Sequence, residues 1–322
     1  MRYRILNMAD ISFCPQVFEP LKDIADIVTL NPDLKTLKGN IREYDVYFAS
    51  LKLVLDRDIL DMAENLKVIA TPSTGTDHID VDYATAKGIE IITLKNDTEF
   101  LDGVTATAEL AWGLLLAAIR KIPWAFDAAE DGIWARDLFR GHQLAGKTLG
   151  IIGYGRLGRM VAQYGKAFRM NVVACDVREI RPENQVKMLS LDELLKISDV
   201  LSIHIHLTPE NRGLLNEAAF AKMKNGAVLI NTSRGAVVDE KAFLNALESG
   251  KLLAAGVDVI DGEWDDNLRE HPLIRYARTH DNLVITPHIG GVTFESQTMG
   301  LEHAIGKLKL ALINQEIVNE RP

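Results

Sequence analysis

The sequence predicts an α/β fold in two parts, each a parallel sheet flanked by helices, and three observations carry that expectation. Short apolar runs alternate with helix-like segments over the first hundred residues, a second alternation begins at KTLGIIG, and a glycine-rich turn joins its first strand to its first helix. A doubly wound parallel sheet produces this pattern, because each crossover between parallel strands is a helix laid on one face of the sheet. At 322 residues the chain also exceeds what one core usually fills, so two domains are expected.

In the first series YRILNM, DVYFAS, KVIAT and IEIIT read as strands, and PQVFEPLKDIA, DRDILDMAENL and DVDYATAKG as helices. The stretch VTATAELAWGLLLAAIRKI, from Val104 to Ile122, is rich in Ala and Leu with Pro123 just past its end, which predicts one long, largely buried helix bridging two domains. The second series supplies the strands KTLGIIG, NVVACD, DVLSIHIHL, GAVLIN, LLAAGVDVI and NLVIT, with helices such as RLGRMVAQYGKAF and EKAFLNALESG between them. Strands so nearly continuous in apolar residues belong to a sheet covered on both faces. The last segment, FESQTMGLEHAIGKLKLALINQ, has helical periodicity and is expected to pack back on the first domain.

Composition narrows the function classes. With 47% hydrophobic and 25% charged residues the chain is neither disordered nor low in complexity. A net charge of -9 with no Lys/Arg cluster argues against nucleic acid as a partner. Cys14 and Cys175 are too few for a disulfide framework and lack metal-ligand spacing, so both are read as core thiols in a reducing compartment. The N-terminus lacks the sections of a signal peptide and no run of about 18 apolar residues stands out, so no membrane is expected and the cytoplasm is the expected location.

The run GIIGYGRLGRM places Gly153, Gly155 and Gly158 in G-x-G-x-x-G spacing between a predicted strand and a predicted helix, and the next strand, NVVACD, ends in Asp176. Glycines there permit a tight turn and close backbone approach, leaving a helix N-terminus to receive a pyrophosphate. Asp176 would accept from the adenosine ribose hydroxyls and repel a 2'-phosphate, so NAD is expected over NADP, with Arg178 two residues on as the opposing feature. The competing reading is a strand-turn-helix that merely needs small residues.

Three later strand ends deliver ionisable residues: Arg234 after GAVLINTS, Asp258 and Glu263 in GVDVIDGEW, and His288 in LVITPHIGG. Carboxyl ends of parallel strands face the crevice where ligands bind, so these residues can converge with a cofactor. Arg234 can hold a substrate carboxylate and polarise an adjacent carbonyl. His288 can give a proton to the carbonyl oxygen as hydride arrives, and Glu263 can fix its tautomer and favour the imidazolium. Taken singly, each residue has an ordinary alternative: a surface ion pair, a solvated loop carboxylate, a structural histidine. His204 and His206, two apart in LSIHIHL, could suggest a metal; no third ligand lies near them, so contacts to cofactor or core are expected and no metal.

Through STGTDHID, TAELAWGLLLAAIRKI, DGIWAR, LAGKTLGIIGYGRLG, HLTPENRGLLN, FAKMKNGAVLINTSRGAVVDE, GVDVIDGEW and TPHIGG, nearly the whole chain resembles the D-isomer-specific 2-hydroxyacid dehydrogenase family. The resemblance implies a Rossmann-type NAD-binding domain, residues 104–294, inserted into a smaller flavodoxin-like substrate domain made of residues 1–103 and the C-terminal helix 295–322. It implies Arg234, Glu263 and His288 as the catalytic set, and the amides around Ser73, Thr74 and Gly75 as a substrate carboxylate site. Three small residues after a strand suit such an anion-binding turn, although an ordinary surface loop looks similar. It further implies Arg156 and Leu157 at the pyrophosphate, Thr232 and Ser233 beside the nicotinamide ribose, Asp258 at the carboxamide, Thr107 near the ring, and Gly290 of TPHIGG among the cofactor contacts. Family members pair through the long helix and the segment that here carries Trp112, Trp124 and Trp134, so a homodimer is expected, although such aromatic residues equally fit a core.

The chain departs from the family pattern in three places: His206 and Trp264 stand where proline is usual, and the segment from Glu263 to His288 is longer. Lys52 is the only base near Ser50, where members acting on phosphorylated acids carry an arginine, which disfavours a phosphorylated substrate. The expected activity is therefore NAD-dependent hydride transfer between nicotinamide and a small 2-oxo or D-2-hydroxy acid. Alternatives on the same fold are oxidation of another small donor such as phosphite, or an NAD-sensing, corepressor-like interaction protein.

Overall fold

A computed structural model describes residues 2–181, 186–265 and 267–319. The chain forms two compact units, one made of Met1–Val104 with Val292–Pro322 and the other of Thr105–Gly291.

In the first unit β1 (Tyr3–Asn7), β2 (Ala25–Thr29), β3 (Val46–Phe48), β4 (Val68–Ala70) and β5 (Glu90–Ile92) form one parallel sheet in the order β2-β1-β3-β4-β5, the flavodoxin-like arrangement. Its helices are α1 (Leu34–Asn40), α2 (Arg57–Met62), α3 (Val81–Ala86) and α4 (Thr98–Asp102). The first three start where an aspartate precedes them: Asp33, Asp56 and Asp80 accept from the backbone N–H of Thr36, Ile59 and Tyr83. Successive strand residues serve opposite faces. Ile5, Val46, Phe48 and Val68 pack with Leu301, Ile305 and Leu308 of the C-terminal helix (Phe294–Asn319), whereas Leu6, Tyr47 and Ile69 pack with Ile59 and Leu60.

One expectation fails here. PQVFEPLKDIA forms only a 3-10 turn, Pro15–Leu21, and is followed by β2. Pro20 has no N–H to donate within a helix, and β2 is an edge strand with only Ala25 buried, so it carries no apolar run to mark it. Of the C-terminal helix expected through 322, residues 320–322 lie outside the described residues.

The second unit carries β6 (Thr148–Ile152), β7 (Asn171–Cys175), β8 (Lys187–Met188), β9 (Val200–Ile203), β10 (Ala227–Asn231), β11 (Leu252–Val257) and β12 (Leu283–Ile285). All are parallel, in the order β12-β11-β10-β9-β6-β7-β8, so the winding direction reverses between β6 and β9, where doubly wound sheets bind ligands. Its helices are α5 (Ala106–Ile119), α6 (Ile122–Glu130), α7 (Arg156–Ala167), α8 (Leu191–Ile197), α9 (Glu217–Lys222), α10 (Glu240–Glu248) and α11 (Pro272–Ala277). Leu201 and Leu229 face Leu195, Phe220 and Phe243; Val228, Ile230 and Ile151 face Ala111, Leu115 and Val161. α5 crosses β11 closely: a Cβ at Gly256 would come within 2.9 Å of the Leu114 Cβ.

The single long helix expected from Val104 to Ile122 is shorter and interrupted. α5 ends at Ile119, Lys121 takes a left-handed φ of 53°, and Pro123 sits in the first turn of α6, where its missing N–H costs nothing. By length and composition alone Thr98–Ile119 would suffice to cross a membrane, contrary to the sequence reading. It is two helices, α4 and α5, and Ala108, Trp112, Leu115 and Ile119 of α5 are buried in the core of the second unit.

Candidate active site

The strand order sets three of the candidate residues side by side. β10, β11 and β12 are neighbours whose register aligns Asn231 with Val257 and Val257 with Ile285, so the turns carrying Arg234, Glu263 and His288 leave the sheet at one level. Buried polar side chains shape these turns. Asn231 accepts from the Ser233 N–H and Oγ and donates to the Arg234 carbonyl, folding residues 231–234 into a tight bend. Asp258, 1% exposed, accepts from Thr286 Oγ1 at 2.6 Å and from the N–H groups of Ile289 and Gly290. Burial drives the Asp258 carboxyl above its ordinary value, against those hydrogen bonds.

His288 is the product of that scaffold. Its N–H donates to the Asp258 carbonyl, and its φ of 55° lies in the left-handed region, uncommon for a residue with a side chain although histidine tolerates it better than most. The ring Nδ1 meets Glu263 Oε1 at 2.6 Å, which leaves Nε2 for proton exchange with a ligand. Glu263 Oε2 is buried with no partner among the described residues. The half-exposed Trp264 indole lies 6.1 Å from the His288 ring at an interplanar angle of 29°. Arg234 is half-buried and donates from Nη1 to the Ser233 carbonyl at 2.8 Å.

The glycine turn fits a dinucleotide. Gly153 has φ +90° and a Cβ there would strike the His204 carbonyl at 2.4 Å; a Cβ at Gly158 would strike the Gly153 carbonyl at 2.1 Å. A Cβ at Gly155, by contrast, would have only the Arg178 guanidinium within 4 Å, so the middle of the turn is open just before the N-terminus of the twelve-residue α7, which begins with Arg156 and Leu157. At the end of β10, Thr232 Oγ1 is buried without a partner among the described residues, and Ser233 is buried beside it. Thr107, Asp258 and Gly290 adjoin one another: a Cβ on Gly290 would meet Asp258 Oδ2 at 3.0 Å and Thr107 Cγ2 at 3.2 Å.

Asp176 ends β7 with its carboxylate already engaged. It accepts from the Tyr154 N–H and from the N–H, Nε and Nη2 of Arg178. Burial pushes this carboxyl up, but Arg178 and the backbone donors outweigh it and hold it below the usual carboxylate range. Sequence reasoning set Arg178 against Asp176; they are one ion pair.

His204 and His206 lie beyond β9, not along one strand face, because the strand stops at Ile203. His204 Nε2 pairs with Ser202 Oγ at 2.8 Å, and burial lowers its pKa to about 4, so the ring is neutral near pH 7. Among the described residues no three metal-ligating side chains cluster. Burial raises the Cys175 thiol to about 11, which keeps it protonated and unreactive.

In the first unit, Ser73, Thr74 and Gly75 follow β4 in a half-buried turn closed by Ser73 Oγ, which donates to the Gly75 carbonyl at 2.8 Å. Sequence reasoning missed Asn231 and Thr286. A polar residue closing the apolar run GAVLIN was the available signal for the first; nothing comparable marked the second.

Comparison with known proteins gives a consistent picture. The family described as D-isomer specific 2-hydroxyacid dehydrogenase, NAD binding domain, matches residues 112–290. The chain is 38% identical over 283 residues to a hydroxypyruvate reductase of Thermotoga maritima, covering 87% of this chain and 89% of that one. It is 38% identical over 265 residues to a D-3-phosphoglycerate dehydrogenase of Methanocaldococcus jannaschii, covering 81% of this chain and spanning about half (48%) of that relative. Among solved structures, a D-lactate dehydrogenase from Aquifex aeolicus, complexed with NAD and lactic acid, superposes with a TM-score of 0.84 at 30% identity, over 98% of this chain and 97% of that one.

Proposed function

The chain belongs to the D-isomer-specific 2-hydroxyacid dehydrogenase family, and from that premise we propose that it interconverts a small, unphosphorylated 2-oxo acid and its D-2-hydroxy acid with NAD(H). The observation that carries this reading is the 2.6 Å contact between His288 Nδ1 and Glu263 Oε1, on a strand end next to the one that leads to Arg234. Bound nicotinamide supplies or accepts the hydride. Arg234 holds the substrate carboxylate and draws charge toward the carbonyl oxygen. His288 delivers the proton to that oxygen from Nε2 in reduction and withdraws it in oxidation, and Glu263 holds the ring in the tautomer that allows this. In the first unit, the backbone around Ser73, Thr74 and Gly75 is itself proposed to bind a carboxylate, supported by its position after a strand and by its small residues.

NAD is favoured over NADP because the Asp176 carboxylate stays charged where a 2'-phosphate would sit. An unphosphorylated acid is favoured because Lys52 is the single base beside Ser50, and because relatives matched over about nine-tenths or more of their own length include a hydroxypyruvate reductase (89%) and a glyoxylate reductase (95%). A homodimer is the proposed assembly.

The test is a panel of glyoxylate, pyruvate, hydroxypyruvate and 3-phosphohydroxypyruvate with NADH and NADPH, following loss of the reduced cofactor's near-ultraviolet absorbance. Turnover of an unphosphorylated acid with NADH is expected, and none with any acid would refute the reading. His288→Asn should lower kcat by about 10²- to 10⁴-fold while leaving NADH affinity unchanged; equal loss of both would make the histidine structural.

A further inference from the structure

Beyond the residues that would touch ligand, a second histidine-carboxylate pair lies behind the active-site turns. Glu240, the first residue of α10, accepts the Asp261 N–H on Oε1 at 2.8 Å, and its Oε2 lies 3.2 Å from His271 Nε2. The same Nε2 lies 3.1 Å from the Asp261 carbonyl, while His271 Nδ1 accepts from the Leu273 N–H at 3.3 Å at the start of α11. With Nδ1 accepting from Leu273, the single Nε2–H is shared between Glu240 Oε2 and the Asp261 carbonyl, so one imidazole engages all three groups. Both backbone groups of Asp261 are thereby tied down, the N–H by Glu240 and the carbonyl by His271.

That residue sits at a junction. A Cβ on Gly235 would lie 2.1 Å from the Ile260 carbonyl carbon and 2.3 Å from the Asp261 nitrogen, so the turn bearing Arg234 rests directly on the Ile260–Asp261 peptide. One residue past Asp261, Gly262 (φ +75°) opens the turn that carries Glu263. The two side chains of the pair are 22% and 13% exposed, and burial raises the Glu240 carboxyl. Taking ionisable groups out of water adds little net stability, so fixing a geometry is the better account of the pair.

Resting on the function proposed above, we propose that Glu240 and His271 are positioning residues: by gripping the Asp261 backbone they hold the turns of Arg234 and Glu263 in register, and through Glu263 they orient the His288 ring. Neither touches substrate. An ångström of drift in either turn would misplace the guanidinium or loosen the Glu263–His288 contact, and displacements of that size cost up to about a hundredfold in rate.

The test compares Glu240→Ala, Glu240→Gln and His271→Ala with the parent chain by two readouts. The first needs no turnover: the ring N–H signals of ¹⁵N-histidine-labelled protein, in which the His288 Nδ1 proton on Glu263 is far downfield and is assigned by its loss in His288→Asn. That signal should broaden or move upfield in Glu240→Ala and His271→Ala. It should be largely restored in Glu240→Gln, whose amide oxygen can still accept from Asp261. The second readout is steady-state kinetics, where Glu240→Ala and His271→Ala should lose about tenfold in kcat with NADH affinity unchanged, and Glu240→Gln distinctly less. An unmoved His288 signal in both Ala variants overturns the proposal, as does a loss of kcat matched by loss of NADH binding. If Glu240→Ala does not fold, the other two variants decide. A parent chain that turns over no acid would refute the functional reading instead, and the NMR comparison would still judge this one.

Discussion

On the proposed preference for NAD, cofactor choice falls to two side chains, the paired Asp176 and Arg178. While the carboxylate is present it binds the guanidinium at 3.0 and 3.1 Å and opposes a 2'-phosphate; once it is removed, a freed arginine that is 65% exposed can turn to that phosphate. Asp176→Ala is therefore expected to raise the NADPH/NADH ratio of kcat/KM by on the order of tenfold to a hundredfold, ~1.4–2.8 kcal/mol. Asp176→Ala,Arg178→Ala should return most of that gain. Steady-state kinetics with both cofactors checks it, and an unchanged ratio in the single variant would remove Asp176 from cofactor selection. At this scale the sequence placed residues in a fixed context where the structure also has them: the three glycines after β6, and the Arg, Glu and His in turns after β10, β11 and β12. What it hid were contacts whose partners are distant along the chain. The Asp258 carboxylate binds Thr286, Ile289 and Gly290, and no spacing rule announces a bond across 28 or 32 residues.

Among the elements, the C-terminal helix is the one whose docking can be tested by charge. Asp97 accepts from His303 Nε2 at 3.0 Å and from Lys307 Nζ at 2.8 Å, and Lys307 also reaches the Thr93 carbonyl, so one carboxylate ties the helix to the chain just past β5. Burial pushes the Asp97 carboxyl up, but the hydrogen bonds from Lys307 and His303, with the Lys307 charge, outweigh it and hold it below its ordinary value. A depressed carboxyl contributes stability that is fully present above its unfolded pKa, about 3.9, and is lost as pH falls through its folded value. Asp97→Asn should therefore lower the melting midpoint at pH 7 by about 2–4 °C, as expected for roughly 1 kcal/mol. The gap to the parent chain should close below about pH 4, and a gap independent of pH would mean that the bond, not the charge, matters. Elements with strong periodicity, α7, α10 and the buried strands, were readable from sequence because each buries a defined face. The edge strands β2 and β8 were not, since Ala25 alone is buried in the first and neither residue of the second. Nor was the break after α5, because composition runs smoothly through Arg120 and Lys121 while the backbone turns left-handed at Lys121.

For the whole molecule, the surface of α6 and of the segment that follows it, residues 131–139, supports the proposed pairing with a second copy of the chain. No residue of α6 is buried, and Ile122, Phe126, Ile133, Trp134 and Leu138 are each at least half exposed, with Trp134 at 86%. Single exposed apolar residues need no explanation, but five large ones within 17 consecutive positions, two of them aromatic, have the composition of an interface core. Trp112, grouped with Trp124 and Trp134 on sequence grounds, belongs elsewhere: it is buried against Tyr164 and Phe168 in the second unit and can anchor nothing outside it. The anchors available to a partner are thus Phe126 and Trp134. Light scattering should give twice the chain mass at micromolar concentration. Phe126→Asp,Trp134→Glu should give the single-chain mass with circular dichroism unchanged, because those side chains support no core of their own chain. A parent chain that is already monomeric would dismiss the dimer, and a double variant that remains dimeric would move the interface away from α6. A double variant that unfolds would show that α6 is stabilised by the second copy, as in assemblies whose monomers are not stable alone.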